Sequence, residues 1–99
     1  MRVLIVDDDP QVRGLMEHVL ERQSYAVIGV GSIREALHQD GPFDLLLLDR
    51  VLPNGDGKKV AEHFRDTPTL YVSAYADADL QKPFTMRQLE TKVAERIGR

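Results

Sequence analysis

What most constrains this chain is where its charged residues fall relative to its apolar runs. Val3–Val6 is a short, continuous, mostly β-branched run, and it closes on three consecutive carboxylates, Asp7, Asp8 and Asp9. The most apolar stretch, Leu45–Leu48, closes on Asp49, and a weaker one closes on Lys82-Pro83. Short unbroken apolar runs suit strands buried on both faces, which belong to parallel sheets covered by helices. In such sheets ligands bind in the crevice outside the carboxyl ends of the strands. Carboxylates and an ammonium at those ends therefore converge. Carboxylate oxygens suit a hard divalent cation such as Mg²⁺, and clustered like charges call for one, because each raises the pKa of its neighbours. A carboxylate beside such a cation can attack phosphorus, and an ammonium can pair with the phosphoryl group as a compact point charge.

The rest of the chain alternates strand and helix. Asp9 is placed to cap a helix that has Pro10 at its first position. Val12, Leu15, Met16, Val19 and Leu20 then recur at helical spacing until Gln23-Ser24. Tyr25–Val30 reads as a second strand. Ser32-x-x-Glu35 reads as a capping box opening a short helix through about Gln39, which Gly41-Pro42 breaks. Asp44–Asp49 is the third strand, Pro53–Gly57 a turn cluster, and Lys58–Arg65 a helix with Val60, Ala61 and Phe64 inward. Thr67-Pro68 marks a turn before a fourth strand, Thr69–Val72. Leu80–Lys82 supplies a short fifth strand. Thr85-x-x-Gln88 is a second capping box, followed by the stripe Met86, Leu89, Val93 and Ile97 that the last helix is expected to bury. The pattern defines an α/β fold with a parallel sheet between two helical layers.

Ninety-nine residues suit one small domain, expected over 1–99. Apolar residues at 42% and charged residues at 29% fit a folded globular chain. A net charge of −3 with no Lys/Arg block argues against direct nucleic-acid binding. The absence of cysteine excludes disulfide and thiolate chemistry. No apolar run approaches the roughly 18 residues of a membrane span, and Met1 leads into a strand with no signal-peptide pattern, so a cytoplasmic location is expected. His18, His38 and His63 show no metal-ligand spacing, and Arg65, Arg87, Arg96 and Arg99 read as surface charges.

Four segments in order, LIVDDDP at Leu4–Pro10, LLLLDRVLPNGDG at Leu45–Gly57, YVSAY at Tyr71–Tyr75 and QKPFTMRQL at Gln81–Leu89, resemble the receiver domain of two-component response regulators. The resemblance covers nearly the whole chain. It implies a flavodoxin-like three-layer fold with a five-stranded parallel sheet in the order 2-1-3-4-5. It implies that Asp49 is the phosphoacceptor, charged by a histidine kinase or a histidine phosphotransfer domain. It implies that Asp8 binds Mg²⁺ directly, Asp7 holds it through water and Val51 offers a backbone carbonyl. Ser73 matches the hydroxyl that bonds a phosphoryl oxygen, Ala74 the small residue beside it, and Lys82 the ammonium that bridges to the phosphoryl group, ahead of a cis peptide at Pro83. Val51 and Tyr75 match the positions flanking the path of attacking water. The QKPF segment also resembles receivers joined to hybrid histidine kinases.

One departure stands out. Between Ser73 and Leu80 lie only the six residues Ala74–Asp79, whereas a helical crossover needs at least about 10–12. The fourth helix of the family pattern is therefore expected to be missing or reduced to a turn. Six residues can still span about 20 Å, so the fifth strand is retained. Loss of the helix is expected to bare an apolar face along the fourth and fifth strands and to make that edge a possible homodimer surface, with Tyr71 or Tyr75 partly covering it. The family's mobile aromatic on the fifth strand has no counterpart in Leu80–Lys82, and Tyr75 is expected to pack against the uncovered sheet. The alternative expectation is a receiver-like interaction or dimerisation module insensitive to phosphorylation. A haloacid-dehalogenase-type phosphatase ranks below both, because no Gly-Thr follows Asp7-x-Asp9 and the chain has no cap.

Overall fold

The computed structural model describes residues 1–98, and Arg99 lies outside them. The described residues form β1 (Arg2–Val6), α1 (Pro10–Arg22), β2 (Ala26–Val30), α2 (Ile33–Leu37), β3 (Leu45–Leu48), β4 (Val51–Leu52), β5 (Gly55–Asp56), α3 (Lys58–His63), β6 (Thr69–Ser73), β7 (Leu80–Gln81) and α4 (Met86–Ile97). The main sheet has five strands in the order β2-β1-β3-β6-β7. Its ladders are all parallel, with Val3 opposite Val27 and Leu45, Leu47 opposite Leu70, and Val72 opposite Leu80. This is the flavodoxin-like order expected from the sequence. Strand β7 is the fifth strand of the sequence reading. The short antiparallel β4–β5 hairpin occupies part of what reads as a turn cluster.

The sheet divides the core by strand alternation. Val3, Ile5, Leu45, Leu47, Leu70, Val72 and Leu80 point to one side, where they pack with Met16, Val19 and Leu20 of α1 and Leu89 and Val93 of α4. Leu4, Val6, Leu46 and Leu48 point to the other, against Ile33 and Ala36 of α2 and Val60 of α3. Both helical layers are fixed by local chemistry. Asp9 Oδ1 accepts the Gln11 and Val12 N–H groups at 2.9 and 3.3 Å, and Pro10 opens α1. Thr85 and Gln88 form the full capping box at α4. At α2 the box is incomplete: Ser32 Oγ accepts the Glu35 N–H, but Glu35 Oε1 accepts from the Ser32 hydroxyl in place of its backbone.

Met86 does not join the buried stripe of the last helix. It is 47% exposed, because Phe84, just ahead of the Thr85 cap, packs against that core with Leu89. These are the N′ and N4 positions of a hydrophobic staple.

The fourth helix is absent, as the residue count implied. The connection from β6 to β7 is a turn in which the Ala78 N–H donates to the Tyr75 carbonyl at 3.2 Å. The Asp79 carboxylate reaches back to accept the Tyr71 N–H at 2.8 Å, and Gln81 Nε2 donates to the Ala74 carbonyl at 3.1 Å. The expected bare apolar face is not found. Leu70, Val72 and Leu80 are buried on the α1/α4 side, and the side left without a helix presents Thr69 and half-buried Tyr71. The Arg50 guanidinium lies 5.9 Å over the Tyr71 ring and pairs with Asp56 and Asp77 at 3.7 and 3.8 Å. Alternation on β6 explains this, since its aliphatic residues Leu70 and Val72 both sit on the covered side. Nor does Tyr75 cover the sheet. Its N–H is tied to Ser73 Oγ and its carbonyl to Ala78, so it belongs to the turn and is 60% exposed.

Candidate functional site

The ends of β1, β3 and β6–β7 meet at one point. Asp7 extends the β1 line by donating its N–H to the Val30 carbonyl, and Asp49 extends β3 by donating its N–H to the Val6 carbonyl at 2.9 Å. Lys82 follows β7, with its N–H on the Ser73 carbonyl at 2.7 Å. Backbone ladders thus set the three side chains before they contact one another.

Lys82 Nζ then donates to Asp7 Oδ2 at 2.7 Å and to Asp49 Oδ2 at 3.1 Å. Asp7 is fully buried, and its other oxygen accepts the Asp9 N–H at 2.9 Å. Asp49 is half-buried, and its Oδ1 accepts the Val51 N–H at 3.1 Å. Asp8 is exposed at the mouth, and one carboxylate oxygen from each of Asp7, Asp8 and Asp49 lies within 4.8 Å of the others. Ser73 is buried at the end of β6, where its Oγ accepts the Tyr75 N–H. Val51 and Tyr75 are both largely exposed and line, with Arg50, Asp56 and Asp77, a cleft of about 250 Å³. Lys82-Pro83 is a cis peptide, as is Gly41-Pro42.

Burial pushes the Asp7 carboxyl above its ordinary value against the pull of Lys82 and the Asp9 N–H. Burial alone would lower the Lys82 ammonium, but its bonds to Asp7 and Asp49 outweigh that and raise it. The two shifts point the same way because Asp7 is wholly enclosed, while Lys82 keeps part of its side chain in solvent and has two carboxylate partners.

The donor set fits a hard cation. Three carboxylates against one ammonium leave two negative charges uncompensated, and every ligand atom is oxygen, the preference of Mg²⁺. Chemically, the arrangement offers a carboxylate at a crevice mouth with a fixed positive group on one of its oxygens.

The sequence reading missed Arg13. Its Nη1 donates to the Asp7 carbonyl at 2.7 Å, so the first turn of α1 braces the acidic strand end. The three histidines lie exposed on helices α1 and α3 and at the end of α2, and none belongs to the cluster.

A five-stranded 2-1-3-4-5 sheet with carboxylates and a lysine at its carboxyl ends defines a phosphoacceptor class of signalling domain. The chain belongs to the response regulator receiver domain family, whose profile matches residues 3–82. It is similar to the nisin biosynthesis regulatory protein NisR of Lactococcus lactis subsp. lactis, at 33% identity over 116 positions covering 99% of this chain and 51% of that protein. Since this chain has 99 residues, the relative carries additional residues within the aligned stretch. The response regulator TrrA of Thermotoga maritima, solved in complex with Mg²⁺–BeF, superposes with a TM-score of 0.84 at 30% identity, covering 96% of this chain and 97% of that one. The receiver domain of the hybrid histidine kinase CckA shares the fold, with a TM-score of 0.81 at 24% identity over 98% of this chain and 99% of that one. The chain spans about half the length of NisR and 19% of another curated relative, PilR of Pseudomonas aeruginosa. Among the described residues no helix is long and apolar enough to cross a membrane.

Proposed function

We propose that this receiver domain takes a phosphoryl group onto Asp49 from the phosphohistidine of a histidine kinase or a histidine phosphotransfer domain. The observation that carries this is the bridge of Lys82 Nζ to Asp49 Oδ2 and Asp7 Oδ2, with Asp8 alongside. In the reaction an Asp49 carboxylate oxygen forms a bond to phosphorus. The bond from phosphorus to the donor imidazole nitrogen breaks, and its electron pair stays on that nitrogen. Lys82 then turns from the Asp49 carboxylate to the phosphoryl oxygens. Ser73 donates its hydroxyl to another of them. Asp7, Asp8, Asp49 and the Val51 carbonyl would hold Mg²⁺, which when bound neutralises charge on the transferring group.

The role is that of a signalling protein charged once per cycle, not of an enzyme turning over a separate substrate. A cytoplasmic location and a kinase or phosphotransfer partner belong to the same reading. Self-association through the β6–β7 edge extends this reading. It rests on the two-residue edge strand Leu80–Gln81, whose backbone can pair with a second chain, and light scattering across a concentration series tests it.

The decisive experiment is Mg²⁺-dependent labelling by acetyl phosphate, read by intact mass, on the wild type and Asp49→Ala. One phosphoryl group on the wild type and none on the folded variant is expected. Undiminished labelling of Asp49→Ala would overturn the assignment.

A further inference from the structure

Gly57 is not demanded by its backbone. It caps α3 at φ −57° and ψ −17°, which any residue adopts. What it lacks is space. A Cβ at position 57 would meet the Asp49 carbonyl oxygen at 2.3 Å, the Asp49 carbonyl carbon at 3.3 Å and Arg50 Cα at 3.4 Å. All three are backbone atoms, so no side-chain rotation relieves the contact. The residue is buried, and its N–H donates to the Arg50 carbonyl at 2.8 Å. Its own carbonyl accepts the Val60 and Ala61 N–H groups that begin α3.

We infer that Gly57 is a positioning residue for Asp49. Having no side chain, it lets the first turn of α3 seat directly on the peptide that carries the acceptor, and this contact sets how far the Asp49 carboxylate projects towards Lys82. The inference rests on the reading of Asp49 as acceptor. On its other side the acceptor is fixed by its N–H bond to Val6, and α3 is anchored by Val60, which is fully buried among Leu46, Leu48 and Ile33. A methyl group at 57 must move one of these backbones by about 1 Å to reach ordinary contact, and a 1 Å misplacement in a reacting group can lower a rate about a hundredfold. Gly29 is the contrasting case. The three atoms nearest its added Cβ all belong to the flexible side chain of Glu17.

The test compares Gly57→Ala and Gly29→Ala in labelling by acetyl phosphate at saturating Mg²⁺ and donor, well below each melting temperature. Both are also built in a Gly14→Ala background, where an added Cβ on helix α1 meets nothing within 4 Å and helix propensity stabilises the fold. The expected result is a drop of about tenfold to a hundredfold in the labelling rate of folded Gly57→Ala. Gly29→Ala should stay within about twofold of the wild type. A purely structural role would lower the melting temperature and leave that rate unchanged. Labelling of Gly57→Ala at the wild-type rate overturns the inference, since α3 would then have yielded and not the acceptor. Failure of Gly57→Ala to fold even in the Gly14→Ala background also overturns it, since the contact would then belong to the fold and not to the acceptor. If Asp49→Ala is still labelled, the reading of the site fails. If Asp49→Ala is silent and Gly57→Ala normal, only this inference fails.

Discussion

Lys82 Nζ donates to Asp7 Oδ2 at 2.7 Å, joining residues 75 apart in the chain. It is the only ammonium that the described structure sets against this buried carboxylate. Removing one partner of such a pair leaves an uncompensated charge inside the protein. Lys82→Met is therefore expected to destabilise the protein by about 1–3 kcal/mol without Mg²⁺. Millimolar Mg²⁺ should restore part of the loss by supplying another counter-charge. Urea unfolding with and without Mg²⁺ checks both statements, and an unchanged midpoint in the variant would contradict the first.

The same cluster should make the wild type itself respond to metal. A ligand that binds only the native state raises its melting temperature by mass action. Mg²⁺ is expected to do so here, and Asp8→Asn to weaken the response, because Asp8 is the exposed member of the cluster. Calorimetry over a Mg²⁺ series measures it. A melting temperature indifferent to millimolar Mg²⁺ would remove the metal from the site.

Phosphoryl lifetime should depend on the rim. Val51, whose N–H donates to Asp49 Oδ1, shares a cleft with Tyr75; the two are 57% and 60% exposed, and Val51 has no polar group with which to orient an attacking water. Self-dephosphorylation is expected to be slow, and Val51→Asn to hasten it several-fold by positioning that water. Loss of label followed by intact mass decides the matter. Equal rates in the two proteins would end this account.

Much of this architecture is legible in the sequence because burial on both faces writes itself as an unbroken apolar run. Val3–Val6 and Leu45–Leu48 show this, and the residues after them mark the crevice. The lost helix is also legible, as simple arithmetic on Ala74–Asp79. Less legible is anything that depends on which face a residue takes. The bare apolar face was expected from the missing helix alone, but β6 turns Leu70 and Val72 to the covered side and leaves Thr69 and Tyr71 on the other. The β4–β5 hairpin is not the one that Asn54-Gly55 would signal, since its two loop residues are Pro53 and Asn54 and Gly55 pairs with Leu52. Arg13 carried only a weak signal, its place one turn into the helix after the Asp run. Gly57 read only as the end of a turn cluster and of the segment Leu45–Gly57, because its constraint comes from a backbone eight residues away and not from its own dihedral angles.

The shortened connection makes the last prediction, since two acidic residues on it do different work. Asp79 accepts the Tyr71 N–H at 2.8 Å and so completes β6 where β7 has not yet begun. Among the described residues the ion-pair partner of Asp77 is Arg50, at 3.8 Å and with 74% of the Asp77 side chain exposed. Hydrogen bonds to a charged acceptor exceed neutral ones in strength, whereas exposed ion pairs contribute little. Asp79→Ala is therefore expected to lower stability by about 1 kcal/mol and to speed hydrogen exchange at the Tyr71 amide. Asp77→Ala should change stability by less than about 0.5 kcal/mol and leave that amide protected. Urea unfolding and amide exchange on the two variants separate these outcomes. Equal protection of Tyr71 in both would mean that the turn, and not the Asp79 carboxylate, holds the edge of the sheet closed.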